Sequence, residues 1–242
     1  MRDARPEAVI HTQALSDVDR CEQDPELART MNVASTEHLA GALRETGALL
    51  VYLSTDYVFD GMKSAPYDEA DAPRPLSVYG RSKLDGERVA LGYGRGVVVR
   101  PSTLFGPGRM NFCDHVALQL RAGQPVEAFR DQVTSPTYTR DLAEALGDLV
   151  QAGSGAAGSS RIVHIVNSGH CSREAFAYRV ADLLGCPRDP IRVIGRAQQR
   201  RPAARPAYTA LTSKYLNLAI GRTLRSWDDA LQAYLRERRW LN

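Results

Sequence analysis

Tyr79 precedes Lys83 by four residues in the segment VYGRSK, and Thr55 closes the apolar run ALLVYLST just upstream. Residues four apart share one face of a helix, so this spacing sets a phenol beside an ammonium. The cation is expected to favour phenolate and bring the phenol towards neutral pH. Such a phenol can give a proton to a carbonyl oxygen or take one from an alcohol. A hydroxyl at the carboxyl end of a buried strand, as at Thr55, can hydrogen-bond and polarise the same oxygen, since ligands of open α/β sheets gather there. These are the acid and base parts of a hydride transfer. With 10 Tyr and three Lys in 242 residues, chance supplies ~0.1 such Tyr–Lys pairs. The bland alternatives are a surface Tyr–Lys contact and a turn-forming Ser-Thr-Asp cluster.

The elements that must position these groups alternate in type. EAVIHT (7–12) reads as a short buried strand, and 25–46 as a helix with Pro25 near its start and Gly47 past its end. Residues 48–55 form a continuous apolar strand, as in a parallel sheet covered on both faces. A Pro- and Asp-rich loop (61–76) leads to Ser77, the N-cap of a helix running to about Leu91 that carries Tyr79 and Lys83. Strand 96–100, helix 111–122, strand 126–129, helix 139–151 and strand 161–166 follow. Helix 172–184, strand 191–194 and helices 212–220 and 226–238 complete the chain. This alternation predicts an α/β fold with a mainly parallel sheet. The stretches 151–160 and 196–207 read as loops.

Composition narrows the function classes. Hydrophobic content of 43%, charged content of 24% and a net charge of +3 describe an ordinary globular chain. They give little support to nucleic-acid binding, for which no basic run with interleaved aromatics is present. Arg accounts for 28 of the 31 basic residues, a skew attributed to codon usage. Cys21, Cys113, Cys171 and Cys186 are widely spaced, which points to a reduced, cytoplasmic compartment. No segment reads as a signal peptide or a membrane span. The five His have no ligand spacing, so no metal site is expected.

The segments LSTDYVFDG and PLSVYGRSKLDGE together resemble the extended short-chain dehydrogenase/reductase superfamily, and within it the dTDP-4-dehydrorhamnose reductase family. HTQALSDVDRCE (11–22), MNVASTEHLA (31–40), RPSTLFGPG (100–108), DQVTSPTYTRDLA (131–143) and RPAYTALTSK (205–214) extend the likeness over nearly the whole chain. The resemblance implies an α/β fold: a Rossmann-like parallel sheet, N-terminally truncated, with a smaller α/β substrate domain. The dinucleotide-binding part would be residues 1–101 and 132–167, and the substrate-binding part 102–131 and 168–242. It implies NADPH or NADH as cofactor and a nucleotide-linked 4-keto-6-deoxysugar as substrate. Thr55, Tyr79 and Lys83 would be catalytic, with Tyr79 and Lys83 also touching the cofactor. Asp56, Tyr57, Thr103 and Arg205 would meet the substrate, and Thr12, Gln13 and Ala14 the cofactor. A homodimer pairing helix 25–46 with the Tyr79 helix is expected by analogy with related folds. A second, non-catalytic expectation comes from the likeness of the same motifs to the regulatory β subunit of methionine adenosyltransferase.

The sequence departs from the family pattern at three places. The strand, Gly-rich phosphate turn and helix that open the pattern are not in these 242 residues, so Met1 is expected to be an internal methionine and AVIHT an exposed sheet edge. Gln13 stands where a small Ala is usual, and Thr103 and Leu104 stand where many members carry a Trp. The run GSGAAG (153–158) spells GxGxxG but follows a helix and precedes a strand, the reverse of the context that motif needs. The loop with Arg192, Arg196, Arg200, Arg201 and Arg205 contains no carboxylate and could clamp a diphosphate by bidentate contacts; Arg205 is the preferred candidate.

Overall fold

The computed structural model describes residues 5–153 and 162–241, so the glycine-rich stretch after Gly153 lies outside the described residues. β1 (Ala8–His11) leads through α1 (Val18–Gln23) to a broken helix, consisting of α2 (Pro25–Arg29), a π turn over Thr30–Ala34 and α3 (Ser35–Leu43). β2 (Leu49–Leu53) ends in a 3-10 turn (Asp56–Val58), and a long loop reaches α4 (Val78–Gly92) and β3 (Gly96–Arg100). Then come β4 (Leu104–Phe105), α5 (Phe112–Arg121), β5 (Val126–Phe129), β6 (Val133–Thr134), β7 (Thr137–Tyr138) and α6 (Thr139–Ala152). β8 (Ile162–His164), β9 (Cys171–Ser172), α7 (Arg173–Leu184), β10 (Ile191–Ile194), β11 (Tyr208–Thr209), α8 (Leu216–Ile220) and α9 (Trp227–Glu237) complete the order.

Local signals explain most of these boundaries. The Asp17 and Asp24 side chains accept from the Arg20 and Leu27 amides and start α1 and α2, with Pro25 at the first turn of α2. Ser77 accepts from the Gly80 amide and starts α4. Such caps satisfy amides that have no partner inside the helix. The helix expected over 25–46 is interrupted by the π turn and stops at Leu43. The helix at 18–23 was not expected, and the one expected over 212–220 is confined to Leu216–Ile220.

The central sheet has the order β1-β2-β3-β8, all parallel. β2 and β3 are buried almost throughout. Leu50, Tyr52 and Val98 face a core completed by Ala40, Leu43 and Ala90 of the α3 and α4 layer. Leu49, Val51, Val97 and Val99 face a core with Leu142, Leu146, Leu149 and Leu216 on the other side. Among the described strands β1 pairs with β2 alone, and its Ile10 is 41% exposed. A separate core around Phe105, Val116, Phe176 and Tyr234 holds α5, α7 and α9 together. Beside it lie the small sheets β10-β5, β11-β6-β9 and β4-β7. α3 and α4 pack on one another within the chain. Among the described residues, no helix is long and apolar enough to cross a membrane.

α4 is seated unusually close to its neighbours. A Cβ on Gly80 would lie 2.3 Å from the Tyr57 carbonyl oxygen, and one on Gly86 would lie 2.2 Å from the Tyr52 hydroxyl and 2.8 Å from the Asn32 carbonyl oxygen. Alanine at a helix interior gains ~1 kcal/mol of propensity over glycine. Forcing a methyl into a filled space costs about 1–3 kcal/mol, and more where backbone must move. Overlap should win at Gly86. Gly86→Ala is expected to lower Tm by roughly 2–6 °C, whereas Gly92→Ala, with nothing within 4 Å of its Cβ, should leave Tm unchanged or raise it. Calorimetry of the two variants checks this, and a Gly86→Ala protein as stable as the parent would refute the close seating.

Candidate active site

The site lies beyond the carboxyl ends of β2 and β3. The Ser54 amide donates to the Val99 carbonyl (2.7 Å) and the Asp56 amide to the Pro101 carbonyl (3.0 Å), so the strand exits stay tied past the last ladder bond. Thr55 caps the 3-10 turn: its Oγ1 accepts from the Tyr57 amide at 3.2 Å and donates to Asp56 Oδ1 at 3.2 Å. Tyr79 stands in the first turn of α4 and meets Tyr57 edge-on, with ring centroids 5.9 Å apart. One turn later Lys83 points under the strand end. Its Nζ donates to the Leu53 carbonyl at 2.7 Å and lies 4.2 Å from the centroid of the Tyr52 ring. Thr55, Tyr79 and Lys83 are thus gathered at one strand end.

The electrostatics differ from what the spacing suggests. Burial pushes the Tyr79 phenol well above its ordinary range, and Asp56 adds to this, while the hydrogen bond with Thr55 pulls the other way. Burial, not the neighbouring ammonium, is the largest influence on it. Burial also brings Lys83 itself down to about 7, with Glu87 opposing the shift. The expectation that the ammonium lowers the phenol is therefore corrected. Both groups lose water, and the lysine turns its proton donors to a backbone carbonyl and a ring face. Desolvation favours the neutral form of each.

Asp56 is buried and turned inward. Its Oδ2 accepts from Ser102 Oγ (2.8 Å) and Thr209 Oγ1 (2.6 Å). Burial raises its carboxyl, and the three hydroxyl partners offset part of that. Its position ties the turn after β2 to β11. Arg205 is likewise engaged within the chain: its fork grips Asp19 of α1 at 2.5 and 2.8 Å, and its side chain is 12% exposed. Thr103 has a left-handed φ of +33° and lines a narrow cleft with Phe105, Phe112 and Arg173. Thr12 and Gln13 are exposed and Ala14 half-buried, in the turn that leaves β1 at the same edge of the sheet.

A cavity of about 530 Å³ opens next to Tyr57, with Phe112, His115, Phe129, Gln132, Arg173 and Arg201 among its walls. Two guanidiniums stack on aromatic rings there. Arg173 lies 4.6 Å from the Phe112 centroid and Arg201 5.5 Å from that of Phe129. Burial bears on the Arg173 cation, with Tyr57 and Asp56 partly compensating. The cavity thus offers ring faces and cationic forks together, a combination suited to a flat, anionic ligand. Arg201 was among the loop arginines singled out from sequence; Arg173 and Phe112 were not. One signal for Arg173 was available. It is the first residue of α7, just after the Ser172 cap, where the helix dipole disfavours a cation.

Residues 1–239 match the RmlD substrate binding domain family. The dTDP-4-dehydrorhamnose reductase of Mycobacterium tuberculosis (strain ATCC 25618 / H37Rv) is 38% identical over 235 residues, spanning 95% of this chain and 76% of that protein. The spore coat polysaccharide biosynthesis protein SpsK of Bacillus subtilis (strain 168) is 34% identical, spanning 97% and 80%. The crystal structure of the dTDP-4-dehydrorhamnose reductase from Bacillus anthracis str. Ames in complex with NADP superposes with a TM-score of 0.90 at 30% identity, covering 98% of this chain and 82% of that one. With the strand order, the Thr55–Tyr79–Lys83 cluster and these likenesses in agreement, the chain belongs to the RmlD substrate binding domain family.

Proposed function

We propose that this protein is an NAD(P)H-dependent oxidoreductase that reduces the keto group of a nucleotide-linked 4-keto-6-deoxysugar. The observation that carries this reading is the convergence of the Tyr79 phenol, the Thr55 hydroxyl and the Lys83 amine at one strand end, beside a cavity walled by Tyr57, Phe112 and Arg173. The lobe built from residues 102–131 and 168–242 would receive the sugar nucleotide, and the sheet carrying β1 to β3 the cofactor.

The residues fit the nicotinamide-ribose half of a dinucleotide. Lys83 holds up to three donors at the edge of the sheet, of which the Leu53 carbonyl takes one, and ribose hydroxyls suit the others. The exposed turn Thr12–Gln13–Ala14 lies at the same edge. When bound, NADPH or NADH supplies the hydride to the keto carbon. Tyr79, kept as a neutral phenol by burial, then carries the proton that the carbonyl oxygen needs. The Thr55 hydroxyl, turning from Asp56 Oδ1, would donate a hydrogen bond to that oxygen and disperse its developing charge. Arg173 and Arg201 are placed to take the diphosphate, and the rings they stack on to take the base.

Turnover is measured as NADPH oxidation with a dTDP-linked 4-keto-6-deoxyhexose. Tyr79→Phe should lower kcat by roughly 10²–10⁴-fold with little change in NADPH affinity by fluorescence titration; full activity would remove Tyr79 from the reaction. Loss of a charge-assisted contact costs about 1.5–3 kcal/mol, so Arg173→Met should raise the KM for the nucleotide sugar roughly 10–150-fold with kcat changed far less. An unaltered KM would place the diphosphate elsewhere.

A further inference from the structure

Helix α4 continues the spacing of the site by one more turn. Tyr79, Lys83 and Glu87 follow one another at intervals of four, so phenol, ammonium and carboxylate share one helix face. Glu87 is buried, with a side-chain exposure of 2%, as is Arg100 at the end of β3. Its Oε1 accepts from Ser54 Oγ at 2.5 Å and from Arg100 Nε at 2.9 Å, and its Oε2 from Arg100 Nη2 at 2.6 Å. Ser54 is the residue before Thr55, and Arg100 is where β3 gives way to Pro101, to which Asp56 is bonded. One carboxylate therefore joins α4 to both strand exits that carry the site.

A buried ion pair is a poor way to gain stability. Removing two charges from water costs several kcal/mol per ion, and apolar replacements of similar volume are often as stable or more so. The pair here is also incompletely satisfied: Arg100 Nη1 has no hydrogen-bond partner and the guanidinium lies 5.2 Å from the Phe59 centroid. What the pair supplies is a fixed geometry, with the carboxylate on α4 and the guanidinium at the end of β3. Resting on the reductase reading above, we propose that Glu87 is a positioning residue for the Tyr79–Lys83 pair: anchored by Ser54 and Arg100, it fixes the reacting face of α4 against the ends of β2 and β3 and provides the buried countercharge for Lys83.

The surroundings of Lys83 support this. Among the described residues no carboxylate is in ion-pair contact with it. Facing it are the Tyr52 ring from β2, His11 from β1 and, along α4, Tyr79 and Glu87. His11 is itself lowered, first by burial and then by the charge of Lys83. Against the desolvation that brings Lys83 to about 7, Glu87 acts to keep the ammonium charged.

The chain has three lysines, Lys63, Lys83 and Lys214, so ¹³C-lysine labelling of the full chain gives a spectrum in which Lys83 titrates alone near neutral pH. Glu87→Gln should move the Lys83 midpoint down by roughly half a unit or more. Lys214, paired with Asp68, should keep its own. In turnover the same variant should lose roughly 10²-fold in kcat with the KM for either substrate within about threefold. Since Glu87→Gln leaves Arg100 without its partner and could unfold the protein, Glu87→Gln/Arg100→Met is measured beside it. This double variant removes the orphaned guanidinium and should stay folded, yet show a lowered Lys83 midpoint and a lowered kcat. A folded double variant with an unshifted Lys83 midpoint or with parental kcat would overturn the proposal. The NMR titration uses no substrate, so it judges the Glu87–Lys83 coupling separately from the reductase reading, which fails on its own if the parent protein lacks turnover.

Discussion

The close seating of α4 on β2 is the constraint on which the site depends. Tyr79 and Lys83 lie on this helix, while the Leu53 carbonyl lies at the end of the strand and Thr55 just past it. Their mutual distances are therefore a helix–strand packing distance. Two glycines allow it, Gly80 over the Tyr57 carbonyl and Gly86 over the Tyr52 hydroxyl. The Ser77 cap fixes where the helix begins, and the Glu87–Arg100–Ser54 node fixes its other end against the sheet. Lys83 bridges the two layers in between through Leu53. Moving the helix out by the thickness of a methyl group would loosen each of these contacts together, because all lie on one face.

A second set of polar links fixes the cavity relative to that face. Asp56 receives Ser102 from the exit of β3 and Thr209 from β11. Ser135 exchanges hydrogen bonds with the Leu211 amide and carbonyl at 3.1 Å. Arg205 reaches back to Asp19 in α1. A buried carboxylate is tolerable only when its acceptors are used, and Asp56 has three hydroxyl donors for the purpose. Buried or half-buried hydrogen bonds, whose loss would leave unpaired groups, thus work beside apolar packing that brings Leu211 against Val58, Phe59 and Leu84. The arginine-lined cavity and the Tyr79 phenol keep their registration because Tyr57 borders both.

Much of this was legible in the sequence because it rests on local chemistry. The apolar run 48–55 became β2, Ser77 became the cap of α4, and the four-residue spacing placed Tyr79 and Lys83 on one face. The parts that were not legible share a different character. Val18–Gln23 spans less than two turns, too short for a period to show, and only the Asp17 cap marks it. The π turn at Thr30–Ala34 changes the hydrogen-bond register without disturbing the apolar pattern. The partner of Lys83 is a backbone carbonyl, which has no residue type to be read. Arg205 looked available in a loop free of carboxylates, but Asp19, far away in the chain, occupies its fork. The sign of the Tyr79 shift is hidden for the same reason, since spacing reports which charges are near and burial decides what they are worth.

That burial also gives the site a direction. Desolvation penalises phenolate and ammonium alike, so a dry site left to itself would settle with a neutral phenol and a neutral amine. A neutral phenol is the form able to give a proton, which suits the reduction of a ketone better than the oxidation of an alcohol. A neutral amine, by contrast, would lose the charge that can steady a developing oxyanion nearby. The carboxylate two turns along from Tyr79 opposes the second outcome: Glu87 acts on Lys83, while burial is the largest influence on Tyr79. The placement of one acid at the far end of the face therefore offsets part of the conflict that burial creates. The phenol stays protonated and the lysine is drawn back towards its charged form, within a single helix of ordinary length.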